Sequence, residues 1–143
     1  MWNQKIGLSI GNQYAIPTTE VIQMLAQIGF DAISPEWETD ADLENIVKTA
    51  SDCGLLVQSL HAPYKNTDAL WNPDPAIFGP AKSSLFSAIK DCCRYGIPVM
   101  VMHTWIGFEY TFDKDSLYFG NFDDLVNFAG QNGVRIAFEN TEG

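Results

Sequence analysis

Apolar and polar positions along this chain follow one pattern that recurs four times. A stretch with helical apolar spacing ends at a glycine, a short apolar run follows, and a carboxylate or an imidazole closes the run. The glycine precedes the closing residue by seven positions in three copies and by six in the last. Because amphipathic helices alternate with continuously apolar strands, the pattern predicts a parallel sheet covered by helices. The copies run from Gly29 to Glu36, Gly54 to His61, Gly96 to His103 and Gly133 to Glu139.

The pattern predicts five strands and four helices. The glycines are expected to end the helices, since glycine readily adopts the left-handed conformation that follows a last helical turn. Apolar faces identify the helices, and the first face contains Val21, Ile22, Leu25 and Ile28. Residues 62–80 carry four prolines, which predicts a long loop after the third strand. The predicted strands are 5–10, 30–34, 55–60, 97–102 and 134–138.

Two architectures share this local pattern, an open doubly wound sheet and a closed β/α barrel. No GxGxxG or phosphate-loop motif follows the first strand, which removes the main sequence support for a nucleotide-binding open sheet. Polar residues that end successive strands favour the barrel, where catalytic groups lie at the C-terminal strand ends. A full barrel has eight strands and about 250 residues. We therefore predict an α/β fold, a partial (β/α)8 TIM barrel in a single domain over 1–143.

An open part of a barrel exposes sheet edges and apolar interior. Such edges pair readily with other chains, so we expect self-association or pairing with a missing C-terminal half. A flattened five-stranded sheet remains the structural alternative at this point.

Composition and charge narrow the class of partner. The 143 residues are 46% hydrophobic and 18% charged, which is typical of a globular domain. The formal net charge of −10 with only eight basic residues argues against nucleic acid, whose binding depends on phosphate neutralisation. A small neutral or weakly charged substrate suits the chain better. No signal peptide or membrane-spanning run is visible, so a cytoplasmic location without membrane association is expected.

Cysteine usage points to the same compartment. The three cysteines are an odd number, and Cys92 and Cys93 are adjacent in a predicted helix. This arrangement does not predict a disulfide framework. We expect Cys53, Cys92 and Cys93 to be buried thiols in a reducing compartment.

His61, His103 and Glu139 form the candidate metal site. Imidazole nitrogens and a carboxylate are common ligands of Zn, Mn, Mg, Co and similar divalent ions. Ligands that converge from neighbouring strand ends would leave coordination positions open for substrate. The alternative is that each histidine is a hydrogen-bonded, partly buried side chain without a ligand.

Further strand-end residues are candidates for substrate binding. A carboxylate such as Glu36 or Glu142 beside a metal can act as a general base next to a polarised carbonyl, although Glu142 is equally well a solvated charge. The indoles of Trp37, Trp71 and Trp105 follow strand ends, where such rings stack on sugars or fill the core.

At these residues the chain resembles the N-terminal half of the xylose isomerase-like TIM barrels. The similar segments are Ser59-Leu60-His61-Ala62-Pro63-Tyr64, Val101-Met102-His103-Thr104 and Ala137-Phe138-Glu139-Asn140. That superfamily includes sugar (phosphate) isomerases and epimerases as well as endonuclease IV-type nucleases. The resemblance covers essentially the whole chain and identifies the superfamily better than the substrate.

The resemblance implies a function and residue roles. Glu139 would be a metal ligand and the catalytic acid/base residue. His61 and His103 match metal-binding histidines of the nuclease branch and substrate-lining positions of the sugar branch. Substrate-binding residues would be Glu36, Trp37, His61, His103, Trp105 and Glu142.

The implied reaction is metal-assisted proton transfer next to the carbonyl of a small sugar or polyol. An Asp, a His and a Glu on later strands of the family have no counterpart here, so the ligand set of this chain is incomplete. Two alternatives stay open: a metal-dependent phosphodiesterase, and a non-catalytic half-barrel that binds a ligand or assembles as a subunit.

Overall fold

Parallel strands alternate with helices throughout the described part of the chain. The structure is a computed structural model in which two compact units are distinguished, residues 1–61 and 62–143. The assignment of 1–143 to a single domain stays a prediction. The structure describes residues 4–11, 14–39, 42–63, 65–104 and 117–139.

The first unit is a parallel sheet with two helices. Its elements are β1 (Gly7–Ile10), α1 (Thr18–Gln27), β2 (Ala32–Pro35), α2 (Leu43–Asp52), β3 (Leu56–Val57) and β4 (Leu60–His61). Strands β1, β2 and β3 pair in that order, and β2 is buried along its whole length. Each helix buries one apolar face. This face contains Val21, Ile22 and Leu25 on α1 and Leu43, Ile46 and Ala50 on α2.

One residue of the predicted α1 face lies outside the core. Ile28 follows the last helical residue, Gln27, and its side chain is 72% exposed. The helical period therefore predicts the burial of Val21, Ile22 and Leu25 correctly and fails where the helix ends.

The third predicted strand is interrupted by a change of register. Before the interruption Ile33 pairs with Val57, an offset of 24 residues, whereas beyond it Glu36 pairs with His61, an offset of 25. One extra residue in one of two paired strands is a β-bulge. The predicted strand 55–60 is for this reason two short strands, β3 and β4.

The second unit contains the longest helix and a parallel strand pair. Its elements are a 3-10 helix (Thr67–Trp71), α3 (Pro75–Tyr95), β5 (Val99–His103), α4 (Gly120–Gln131) and β6 (Arg135–Glu139). Strands β5 and β6 pair over five residues, and His103 lies opposite Glu139 at the end of both strands. The core includes Leu85, Ile89, Met100, Met102 and Leu125, all at most 1% exposed.

The prediction of an uninterrupted loop over 62–80 is wrong. A 3-10 helix lies within this stretch, and α3 already begins at Pro75. Asp74 caps α3 by accepting a hydrogen bond from the amide of Ala76 at 2.9 Å, and proline is favoured at the first helical position. Pro80 lies in the second turn of α3. No helix in the described part of the chain is long and apolar enough to cross a bilayer.

Only one cysteine is a buried thiol, so the prediction that all three are buried is wrong. Cys92 lies in the core, where burial raises the pKa of its thiol to about 12. Cys93 is exposed because adjacent helical residues face different directions, and Cys53 is partly exposed at the end of α2. All three thiols are free.

Gly96 ends α3 in the left-handed conformation, with φ of +68°. We expect Gly96→Ala to lower the free energy of unfolding by about 1 kcal/mol, since a side chain is disfavoured in this conformation. A built Cβ meets nothing within 4 Å, so the cost is confined to the backbone. Gly130 lies inside α4 before Gln131, a Cβ built there also meets nothing within 4 Å, and Gly130→Ala should raise stability by about 0.5 kcal/mol. Urea unfolding measures the free energy of unfolding of both variants. Equal changes in the two variants would contradict this prediction.

Candidate functional site

The centre of the candidate site in the second unit is a hydrogen-bonded pair. His103 Nε2 lies 3.0 Å from Glu139 Oε2, and their side chains are 21% and 51% exposed. The two residues are in register on adjacent parallel strands, so their side chains project to the same side of the sheet. This distance is that of a hydrogen bond, in which an imidazole N–H donates to the carboxylate oxygen. The pair therefore places an imidazole and a carboxylate together at an accessible strand end.

In the first unit the predicted residues Glu36 and His61 are backbone neighbours. They form an isolated parallel bridge directly after β2. The amide of Trp37 donates to the carbonyl of His61 at 2.8 Å. Trp37 is only 9% exposed, so most of its indole is enclosed. The strand ends of this unit thus bring a carboxylate and an imidazole to one edge of the sheet.

Three serines, which the sequence analysis missed, lie one layer below these strand ends. Ser59 Oγ donates to Ser34 Oγ at 2.8 Å, and Ser9 Oγ donates to the carbonyl of Ser34 at 3.3 Å. Ser34 and Ser59 are buried. The sequence does contain a signal for this pair, because a serine stands two residues before Glu36 and another stands two residues before His61.

Trp71 connects the 3-10 helix to the end of β5. Its Nε1 donates to the carbonyl of Thr104 at 2.8 Å, next to His103. Its ring packs against Phe122 and Phe119, with centroid distances of 4.4 and 5.3 Å. In this structure Trp71 therefore supports the backbone that follows the candidate histidine.

Asn121, a second residue that the sequence analysis missed, fixes the same segment to α4. The side chain is 1% exposed, and Nδ2 donates to the carbonyls of Leu70 and Asn72 at 2.9 and 3.0 Å. No local sequence signal identifies it, because its partners lie 49 and 51 residues away. The two hydrogen bonds hold the backbone on both sides of Trp71, at Leu70 and at Asn72.

Two predicted site residues, Trp105 and Glu142, lie outside the described residues. Of the remaining predicted residues, His103 and Glu139 meet in the second unit, and Glu36, Trp37 and His61 lie together in the first.

Comparisons with known proteins identify the fold. No family model and no curated protein matches the chain, but many solved structures do. The 3-keto-D-glucoside 4-epimerase of E. coli matches with a TM-score of 0.74 at 14% identity, over 94% of this chain and 56% of that one. D-psicose 3-epimerase of Clostridium cellulolyticum, solved with D-tagatose, gives 0.71 at 17% identity, over 92% and 51%.

A third similar structure is a complex with a metal ion. A xylose isomerase-like TIM barrel protein from Mycobacterium smegmatis, in complex with magnesium, matches with a TM-score of 0.68 at 15% identity. The match covers 98% of this chain and 56% of that one. The chain thus spans about half the length of these solved proteins. Its predicted α/β fold is confirmed: this chain has the fold of the xylose isomerase-like TIM barrels, as a part of one.

Proposed function

We propose that this chain provides part of the active site of a sugar (phosphate) isomerase or epimerase. The reaction would be metal-assisted proton transfer at the carbon next to the carbonyl of a small sugar or polyol. The observation that carries the proposal is the His103–Glu139 pair, 3.0 Å apart at the C-terminal ends of adjacent parallel strands. In β/α barrels the catalytic groups come from these strand ends. The solved proteins of similar fold include two sugar epimerases.

The donor chemistry of this chain fits a divalent metal. We propose His61, His103 and Glu139 as ligands, two imidazoles and one carboxylate, which suit Zn or Mn and leave positions for ligands from elsewhere. Support for His61 comes from its neighbour in sequence, because the amide of Ala62 donates to the carbonyl of Val101, two residues before His103. When bound, such a metal would polarise the carbonyl and hydroxyl oxygens of the sugar.

The side chains themselves would hold the substrate and move the proton. In an isomerisation, Glu139 would take the proton from the carbon beside the carbonyl and deliver it to the former carbonyl carbon, while the hydroxyl proton passes to the former carbonyl oxygen. The hydrogen bond from His103 orients this carboxylate. Glu36, Trp37, Trp105 and Glu142 are proposed to bind the sugar, together with the two histidines. A complete ligand set is proposed to need the barrel units that the longer solved proteins have in addition.

Replacement of a proposed ligand tests the metal assignment directly. We expect His103→Ala to weaken Mn²⁺ binding by about tenfold or more, measured by calorimetric titration of the purified chain. The matched control is Asp124→Asn, because Asp124 is an exposed carboxylate of the same unit that pairs with Lys82. The control variant should bind Mn²⁺ as the wild type does. Equal affinity in all three proteins would assign binding to general negative charge and remove His103 from the site.

A further inference from the structure

A proline interrupts the backbone hydrogen bonds between β2 and β3. The amide of Gln58 donates to the carbonyl of Ile33 at 3.0 Å. In an unbroken parallel ladder, the amide two residues beyond Ile33 would donate in turn to the carbonyl of Gln58. That residue is Pro35, which has no N–H group. The regular ladder therefore cannot continue at the point where the register between the strands changes.

A pair of hydroxyls connects the two strands at this interruption. Ser59 Oγ donates to Ser34 Oγ at 2.8 Å, and the two residues are only 7% and 8% exposed. In the register of the preceding residues, Ser34 would face Gln58. The bond from Ser59 is thus the first contact in the shifted register that places His61 opposite Glu36.

We propose that Ser34 and Ser59 are positioning residues for His61, because their hydrogen bond holds β4 against β2 where Pro35 cannot donate one. Side chains two residues apart on a strand lie on the same face, roughly 6.6 Å apart along it. The serine pair therefore lies one layer below Glu36 and His61, on the same face of the sheet. This role rests on the proposed function, which assigns His61 to the metal and to the sugar.

Burial and the hydroxyl pair fix different aspects of the position of His61. Leu60 is 0% exposed, and successive strand residues face opposite sides, so burial of Leu60 turns His61 to the other face. Burial of apolar surface is non-directional and does not fix the distance between the two strands. A hydrogen bond between buried hydroxyls does fix it, since separation of the strands would leave both hydroxyls without this partner.

Amide hydrogen exchange of the 143-residue chain, followed by NMR without added metal, tests the positioning role. The amide of Trp37 donates to His61 of β4 at 2.8 Å, whereas the neighbouring amide of Glu36 donates to Ile10 of β1 at 2.9 Å. Ser59→Ala should accelerate exchange at Trp37 about tenfold, because β4 opens more often, and should leave Glu36 unchanged. Equal acceleration at both amides would indicate a loss of overall stability and overturn the proposal. An unchanged rate at Trp37 would overturn it as well.

Two further variants separate this role from other effects of the substitution. Ser34→Ala/Ser59→Ala removes both hydroxyls, so its free energy of unfolding should lie closer to the wild type than that of Ser59→Ala. Its exchange at Trp37 should stay fast, because the bond between the strands is still missing, and a wild-type rate there would contradict the proposal. Ser9→Ala is the matched control, since the hydroxyl of Ser9 joins β1 rather than β4 to the carbonyl of Ser34. It should leave exchange at Trp37 at the wild-type rate.

Zinc binding gives a readout at the site itself. We expect Zn²⁺ to shift the imidazole ¹⁵N signals of His61 and His103 in the wild type. The apparent dissociation constant for Zn²⁺ should rise about tenfold in Ser59→Ala but not in Ser9→Ala. Unshifted imidazoles in the wild type would remove the proposed metal ligands, whereas the exchange contrast needs no metal and would still decide whether the serine pair holds β4. Wild-type binding through His61 that Ser59→Ala left unchanged would overturn the positioning role alone.

Discussion

Glu139→Gln is expected to reduce metal-dependent exchange of a substrate carbon-bound proton by about 100-fold or more. A positioned general base contributes roughly 10² to 10⁴ in rate, and an amide cannot accept the proton. Glutamine has nearly the same shape and can still accept a hydrogen bond from His103, so the strand end should keep its structure. The measurement is deuterium incorporation into D-tagatose in heavy water, followed by NMR in the presence of Mn²⁺.

The control for this experiment is Glu38→Gln, an exposed carboxylate that follows the end of β2. It should exchange the substrate proton at the wild-type rate. Exchange that survives in Glu139→Gln would remove Glu139 from the role of acid/base residue. No exchange by the wild-type chain would contradict an activity of this chain alone, while metal titration would still report on the ligands.

Asn121→Ala should lower the free energy of unfolding by about 2–3 kcal/mol. Asn121 is almost completely buried and donates to the carbonyls of Leu70 and Asn72. Its truncation leaves the buried carbonyl of Leu70 and the partly buried carbonyl of Asn72 without these donors and creates a small cavity. The higher helix propensity of alanine offsets only part of the loss, about 0.5 kcal/mol. Urea unfolding followed by circular dichroism measures the difference.

Asn127→Ala is the matched control on the same helix. Asn127 is exposed on α4, so the identical substitution should change stability by less than about 0.5 kcal/mol. Asn121→Asp keeps the size of the side chain and also loses both donated hydrogen bonds, but Lys82 Nζ, 3.4 Å from Asn121 Oδ1, would pair with the new carboxylate and offset part of the loss. Equal stability of Asn121→Ala and Asn127→Ala would contradict a stabilising role for these hydrogen bonds.

The local sequence pattern predicts the order of helices and strands correctly, but it does not predict contacts between residues that are far apart in the sequence. Gly29, Gly54, Gly96 and Gly133 all have positive φ, as expected of residues that end helices. The sequence pattern also predicts which residues end the strands. Because parallel strands share a direction, this was enough to expect His103 and Glu139 on one edge, where they form a hydrogen bond.

Other features depend on residues far apart in sequence. The hydrogen bond from Trp71 to Thr104 spans 33 residues, and no spacing rule connects an indole to a carbonyl at that separation. The start of α3 was missed for a different, local reason: Asp74 followed by Pro75 is a cap and first-position signal that begins the helix before Pro80. The sequence leaves open whether the indole of Trp37 fills the core or stacks on a sugar. The structure shows that the residue is only 9% exposed.

The bulge between β3 and β4 decides which side chain reaches one strand end. It supplies the extra residue that brings His61, rather than Leu60, opposite Glu36. A strand of the same length without the bulge would place Leu60 opposite Glu36 and turn the imidazole to the other face of the sheet. Deletion of the one extra residue between Val57 and Leu60 would also remove the bulge, but it would keep His61 opposite Glu36, because the regular register then resumes at the same side chain. The position of the imidazole therefore depends on the match between the bulge and the number of residues in this segment.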